Sequence, residues 1–423
     1  MTQTLDARAL DLRQFVRPGD RLIWSQATGE PQTLTEALVA QRAALGPVTV
    51  FTGLNFSSTF KAEHADHIRF VSYGASGSFR RLAKAGALQI IPCHVGQIYR
   101  YIDQGLIGAD VVFLQLPPAG PDGTHSFGVI NDYLQNAVAK ARVIIAEVND
   151  QVPQTFTDGR IAAARIDVKI LTSRPVVEVP PAATGDLERA IARHVVEFVE
   201  DGSCIQIGVG GVPDAILQLI GGRKDLGIHS GSIGDGLVDL MESGAVTNAR
   251  KPFDQGISVT GVLLGSARLY RFAHNNPKIL IKTSLHTHGD AIATIPKLVT
   301  INSALEVDLT GQVNAEQAGA DYVGAIGGQA DYVRAGHRSP GGHSIIALQA
   351  TAKEGKTSRI RPALSGPVTS ARYDVDVIVT EFGAADLRGL PIPARAKRLI
   401  AIAHPDFREE LSREAAILIK RGF

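Results

Sequence analysis

The stretch CIQIGVGGVPDAILQLI, residues 204–220, reads as a strand that breaks at a glycine turn and restarts as a helix. Ile205 and Ile207 belong to an apolar run of strand type, and Pro213 falls in the first helical turn, where its missing N–H is not needed. Between them stand Gly208, Gly210 and Gly211. Backbone amides in such a turn are unobstructed by side chains and lie at the positive end of a helix, an arrangement suited to a phosphate or a developing oxyanion. Tight packing alone also explains turns of this kind. The stretch lacks the full dinucleotide fingerprint and any Walker lysine.

Outward from this turn the same alternation covers the chain. RLIWS, VTVFTG, IRFVSY, LQIIPCHV, DVVFLQL and RVIIAEV are short β-branched runs separated by longer helical patterns, the signature of parallel sheet with crossover helices. The class is α/β with mainly parallel sheets. A chain of 423 residues is too long for one ordinary core and predicts two domains. TSRPVVEVPPAATGD (172–186), rich in proline and small residues, marks the boundary, so the expected domains are 1–180 and 181–423. LERAIARHVVEFVEDG then resumes a helical pattern, followed by LGIHS as strand and DGLVDLMESG as helix. The last third is glycine-rich up to GGHSIIAL, turns strand-like at DVDVIVTEF, and is expected to close on the basic helix PARAKRLIAIA.

Composition excludes several function classes. Lys plus Arg (43) nearly balance Asp plus Glu (42), so no overall field gathers nucleic acid or an anionic membrane, and a small-molecule ligand fits better. Cys93 and Cys204 show neither zinc nor disulfide spacing, which points to a reducing compartment. MTQTLDARALDLRQF carries charges where a signal peptide needs apolar residues, and no apolar run approaches a membrane span. The expectation is a cytoplasmic protein without membrane or nucleic-acid partners.

A second glycine cluster, GAIGGQADYVRAG, sets Gly327 and Gly328 before Gln329. It reads either as a second set of amide donors or as a loop with a structural Asp331–Arg334 pair. Carboxylates near these turns are Glu306 in INSALEVDL, Glu316 in GQVNAEQAG and Asp235 in GIHSGSIGDG (227–236). Each taken singly is an ordinary structural acid. His286 and His288 in SLHTHGD would share a face on a strand, but no third ligand has matching spacing, so no metal is expected. His229 and Ser230 are adjacent and on a strand point to opposite faces, so they form no ready nucleophile–base pair.

Taken together, GEP (29–31), DVVFLQLPP through FGVINDY, AEVNDQVP (146–153), EDGSCIQIGVGGVPDAIL, INSALEVDLTGQV, GGQADYVR, VTEFGAADLRG and IAHPDFREEL resemble the acetyl-CoA hydrolase/transferase family, within it the 4-hydroxybutyrate CoA-transferase branch. The resemblance covers nearly the whole chain. It implies two tandem CoA-transferase-type α/β domains, acyl-CoA held mostly by the second, a reacting centre at their junction, and a dimer or larger assembly. No cofactor is implied beyond the coenzyme A of the substrate; a small carboxylic acid is the implied second partner. The family's motif is HSE, a short spacer and DG, whose glutamate attacks the thioester. His229, Ser230, Asp235 and Gly236 match that motif, whereas Gly231 occupies the glutamate's place. Glycine cannot attack, so the covalent route at this position is closed. Three readings follow: hydrolysis or another substitution using water or a substrate group as nucleophile, CoA transfer through a relocated carboxylate, and a silent acyl-CoA-binding subunit. For hydrolysis the candidate bases are Glu316, His229, Glu306 and Asp235, in that order. Gly208, Gly210, Gly211, Gly327, Gly328 and Gln329 are the expected binding residues.

Overall fold

Eight apolar segments pair side by side in the first half of the chain: β1 (Gln3–Leu5), β2 (Arg21–Trp24), β3 (Val48–Phe51), β4 (Ile68–Ser72), β5 (Leu88–Ile90), β6 (Val111–Leu116), β7 (Val143–Asn149) and β8 (Val168–Thr172). The computed structural model describes residues 2–421. Within the sheet the order is β1-β8-β7-β6-β2-β3-β4-β5, and every pairing is parallel. All six residues of β6, VVFLQL, are buried, as a strand covered on both faces requires. Trp24 on β2 stacks on Phe60 and Phe113 at 5.5 and 6.1 Å between ring centres, and Tyr133 donates to the Trp24 carbonyl at 2.8 Å. Helices α1 (Gln32–Leu45) and α2 (Val95–Asp103) follow β2 and β5 as crossovers.

Strand order reverses beside β2: the chain runs outward through β3, β4 and β5, then returns to β2's other flank with β6. The crevice beyond the carboxyl ends of β2 and β6 is therefore where an open parallel sheet takes ligands. Asp132 lies in this unit, 4% exposed, and burial pushes its carboxyl up to about 7, against the downward pull of the Tyr133 amide and the Gln26 side chain. The folded protein then holds this proton up to about pH 7, whereas the unfolded chain releases it near 3.8. Stability from this group is complete below pH 3.8 and is lost as pH rises through 7. The stability difference between wild type and Asp132→Asn, followed by urea denaturation, should shift between pH 4 and pH 8.5 by roughly 4 kcal/mol in favour of the variant.

Two later segments pack with this first unit, which comprises the chain up to Pro180, Val259–Gly289 and Tyr322–Gly327. Ile279–Ile281 pairs in parallel with Phe156–Thr157, and Val262 bridges Ile130. The unbroken span expected for 181–423 thus differs from the packing, because strand partners for these segments lie before residue 180. The second unit comprises Pro181–Ser258, Asp290–Asp321 and the chain from Gly328.

Its sheet contains β9 (Cys204–Ile207), β10 (Gly227–Ile228), β11 (Leu298–Ser303), β12 (His343–Ala347), β13 (Val377–Thr380) and β14 (Gly383–Asp386), in the order β10-β9-β11-β12-β13-β14. Pairing is parallel up to β13, and β14 folds back antiparallel. Packed in this unit are α3 (Asp186–Val195), α4 (Gly211–Leu219), α5 (Gly236–Glu242), α6 (Gln329–Arg338), α7 (Ile392–Ala401) and α8 (Pro405–Lys420). PARAKRLIAIA does form α7, but α8 follows it and ends the described chain. Pro405 at its start and buried Leu411 and Ala415 on one face are ordinary helix signals that sequence reading passed over. Among the described residues no helix is long and apolar enough to cross a membrane.

Candidate functional site

In the second unit the strand order reverses between β9 and β11, because β10 adds to one flank of β9 and β11 to the other. At the carboxyl ends of these strands Asn302 donates its side-chain amide to Gln206 at 3.2 Å. The glycine turn 208–211 leaves β9 at this same edge and enters α4. Its three glycines have different physical roles. Gly210 caps α4 with φ 131° and ψ 178°, a conformation only glycine adopts readily. Gly211 allows close packing, since an added Cβ would lie 3.1 Å from the Glu188 side chain and 3.2 Å from the Ala183 carbonyl. Around Gly208 a Cβ would meet open space. First-turn amides have no acceptor within their own helix and point outward from α4.

The segment after β10 runs on along β9. His229 N–H donates to Ile205 at 3.2 Å, and the Ser230 hydroxyl takes over from the backbone ladder, donating to the Ile207 carbonyl at 3.0 Å and accepting from the Ile207 amide at 3.3 Å. Ser230 is thus a brace. His229 is fully buried with its ring edge-on to Phe253, 5.7 Å between centres, and Gly231 is half-buried. On the outer edge of β10 two side chains satisfy the backbone. Asn248 accepts from the Ile228 amide at 2.8 Å, and buried Lys251 donates to the carbonyls of Ile228 and Ile257 at 3.1 and 2.7 Å. Sequence reading missed both, because TNARK lies in a loop without periodicity. Asp235 sits buried at the entry to α5. Burial, and then the Asp235 charge, raises the carboxyl of Asp214 on α4.

Asn314 links the Glu306 carboxylate to the backbone of Glu316. The Asn314 amide donates to Glu306 Oε1 at 2.9 Å, while its oxygen accepts from the Glu316 backbone amide at 3.0 Å. Both Glu306 oxygens are engaged: Ser365 Oγ lies 2.9 Å from each, its N–H donates to Oε1 at 2.7 Å, and Arg361 Nε lies 3.5 Å from Oε2. Glu316, 4% exposed, accepts from Thr369 Oγ1 at 2.7 Å. Next to Thr369, Ser370 accepts from the Gln329 side chain at 3.3 Å. Gln329 and Glu316 are therefore anchored on neighbouring residues.

The second glycine cluster divides. Gly327, with φ 58°, belongs to the first unit, whereas Gly328 caps α6 in the second. Arg334 on α6 pairs with Asp374, in the loop preceding β13, at 3.1 Å. SLHTHGD forms a single helical turn, Ser284–Thr287, so the strand spacing that would align His286 and His288 does not apply. His286 lies 3.0 Å from Lys282 Nζ, and His288 lies 2.8 Å from Thr287 Oγ1.

The second unit holds amide donors at the starts of α4 and α6, a braced segment ending in a residue without a side chain, and two buried acids. The acetyl-CoA hydrolase/transferase N-terminal domain matches residues 7–180 and the C-terminal domain residues 265–415. A 4-hydroxybutyrate coenzyme A transferase of Clostridium kluyveri is 35% identical, covering 93% of each chain. An acetyl-CoA hydrolase of Candida albicans is 28% identical over 61% of this chain and 52% of its own. The crystal structure of RipA from Yersinia pestis superposes with a TM-score of 0.93 at 32% identity, covering 98% of this chain and 97% of that one. With both domain models matched and the transferase aligned along nearly its full length, the chain belongs to the acetyl-CoA hydrolase/transferase family.

Proposed function

We propose that the protein cleaves an acyl-CoA thioester with water as the nucleophile. The observation that carries this reading is Gly231: the resemblance puts the attacking glutamate there, and the residue present ends a braced, buried segment with no side chain at all. Water fills the space a side chain leaves, and amides at the starts of α4 and α6 polarise the thioester carbonyl. Attack forms a C–O bond, the C–S bond then breaks, and the water's proton goes to a base while thiolate leaves. Glu316 and His229 are the candidate bases. Glu306 serves as scaffold in this scheme, since Ser365 and Asn314 occupy its oxygens, and Asp235 acts on Asp214 at α4.

Transfer to a carboxylic acid is the second reading, favoured by the transferase named for the relative at 35% identity. It requires Glu316 as relocated nucleophile or direct attack by the acceptor. Mass spectrometry of the protein incubated with several acyl-CoAs, with and without acetate, separates the readings. Hydrolysis frees CoA in both arms; transfer makes acetyl-CoA only with acetate; a silent binder leaves every thioester intact.

The glycine turn makes a sharper prediction. Alanine at Gly210 strains the backbone by about 1–3 kcal/mol. The loop relaxes out of its binding shape, and acyl-CoA affinity measured by calorimetry should fall roughly 5- to 100-fold. Gly208→Ala, in open space, should bind within about twofold of wild type.

A further inference from the structure

The first unit contains a buried polar chain at the switch point of its sheet, and the donor–acceptor logic of that chain is fully determined. Leu54 N–H, which can only donate, points at Gln26 Oε1 at 2.9 Å, so the Gln26 oxygen must face that way. Tyr73 O–H donates to the same oxygen at 2.7 Å. The Gln26 nitrogen is then forced toward Asp132 Oδ2, 2.7 Å away. Tyr133 N–H, again only a donor, points at Asp132 Oδ1 at 2.6 Å. Residue 132 must therefore accept on both of its terminal atoms, which an ionised aspartate does and asparagine cannot. Gln26, Tyr73 and Asp132 are 6, 3 and 4% exposed, so no mispaired group can turn to solvent.

This chain ends beside the glycine-rich segment. Tyr73 precedes Gly74, which bridges Ala325; Ala75 N–H donates to the Gly324 carbonyl at 2.8 Å, and Val95 N–H to the Gly327 carbonyl at 2.9 Å. The fit leaves no slack. A Cβ on Gly53 would lie 2.0 Å from Gln26 Oε1, and one on Gly74 would lie 2.2 Å from the Ala325 Cβ. We propose that Asp132 is a positioning residue for the Gly324–Gly327 segment, acting through Gln26 and Tyr73. Its catalytic consequence rests on the use, proposed above, of the amides at the start of α6, which this segment leads into; the positioning itself does not.

Because the pairing is determined, it can be inverted. Asp132→Asn sets two NH2 groups against each other, and Gln26→Glu sets two carboxylates against each other. The double variant restores every pair: the amide introduced at position 132 accepts from Tyr133 N–H and donates to the carboxylate introduced at position 26, which in turn accepts from Leu54 and Tyr73. The measurement is backbone hydrogen exchange over residues 322–328 at pH 8.5, by mass spectrometry, alongside kcat and KM for acyl-CoA. Each single variant should exchange this segment roughly 10- to 100-fold faster and lose kcat by a similar factor with KM within about threefold. The double variant should return to within about threefold of wild type in both. Wild-type exchange in Asp132→Asn, or a double variant as fast-exchanging or as poorly folded as that single one, overturns the proposal. If wild type turns over no acyl-CoA, the hydrolytic reading falls, and exchange alone still decides the positioning role.

Discussion

Glutamate at position 231 should open the covalent route and turn the protein into a CoA-transferase. With acyl-CoA and excess acetate, Gly231→Glu is expected to accumulate a protein species heavier by CoA less water, and to form acetyl-CoA at least about 100-fold faster than wild type. The physical basis lies in how the segment is held. Ser230 Oγ makes two hydrogen bonds to the end of β9, and Asn248 and Lys251 fix the outer edge of β10. A side chain added one residue later starts from a determined position, which a poor nucleophile such as a carboxylate needs. Hydrolysis should fall at the same time, because the carboxylate takes the water's space. An unaltered hydrolytic rate with no adduct would mean that residue 231 does not border the reacting carbon.

The second large effect is expected from one methyl group in the first unit. Gly74→Ala puts a Cβ 2.2 Å from the Ala325 Cβ and 2.9 Å from the Gly324 carbonyl oxygen. Gly74 cannot retreat, since Ser72 ends β4 and Tyr73 is held by its hydrogen bond to Gln26. Segment 324–325 must move instead, carrying Gly327 with it. Losing the alignment of one oxyanion donor costs about 100- to 1,000-fold in kcat, and that range is the expectation here. Acyl-CoA affinity should stay within a few-fold, because the Gly208–Gly211 turn belongs to the other unit. Adding Ala325→Gly removes the closest clash and should recover part of the loss. A Gly74→Ala enzyme with wild-type kcat would remove Gly327 and Gly328 from the chemistry.

Much of this architecture was legible in the chain. Val- and Ile-rich runs such as DVVFLQL and RVIIAEV declare strands buried on both faces, and the glycine turn with Pro213 marks where β9 becomes α4. What stayed hidden depends on contacts between residues distant in sequence. Phe156–Thr157 and Ile279–Ile281 are too short to declare a pairing, yet that pairing draws a later segment into the first unit. Motif position singles out His229, Gly231 and the glycines as candidates, but says nothing of the roles of neighbours. Glu306 reads like any acid beside a motif, and only the fold shows Ser365, 59 residues away, closing on both oxygens. Lys251 reads as a solvated charge; it is buried because the edge strand β10 needs a donor for the Ile228 carbonyl. Asp132 likewise carries no signal of its own, since its meaning comes from Gln26 and Tyr73 at the ends of other strands.

In the proposed reaction water, rather than a protein carboxylate, attacks the thioester. Single-turnover incubation of excess enzyme with acyl-CoA in water enriched in oxygen-18, followed by mass analysis of acid, CoA and intact protein, tests it most directly. The expected result is one heavy oxygen in the released acid, free CoA in equal amount, and a protein whose mass never changes. A protein carrying acyl or CoA mass, or a heavy oxygen left in a protein glutamate, would contradict it.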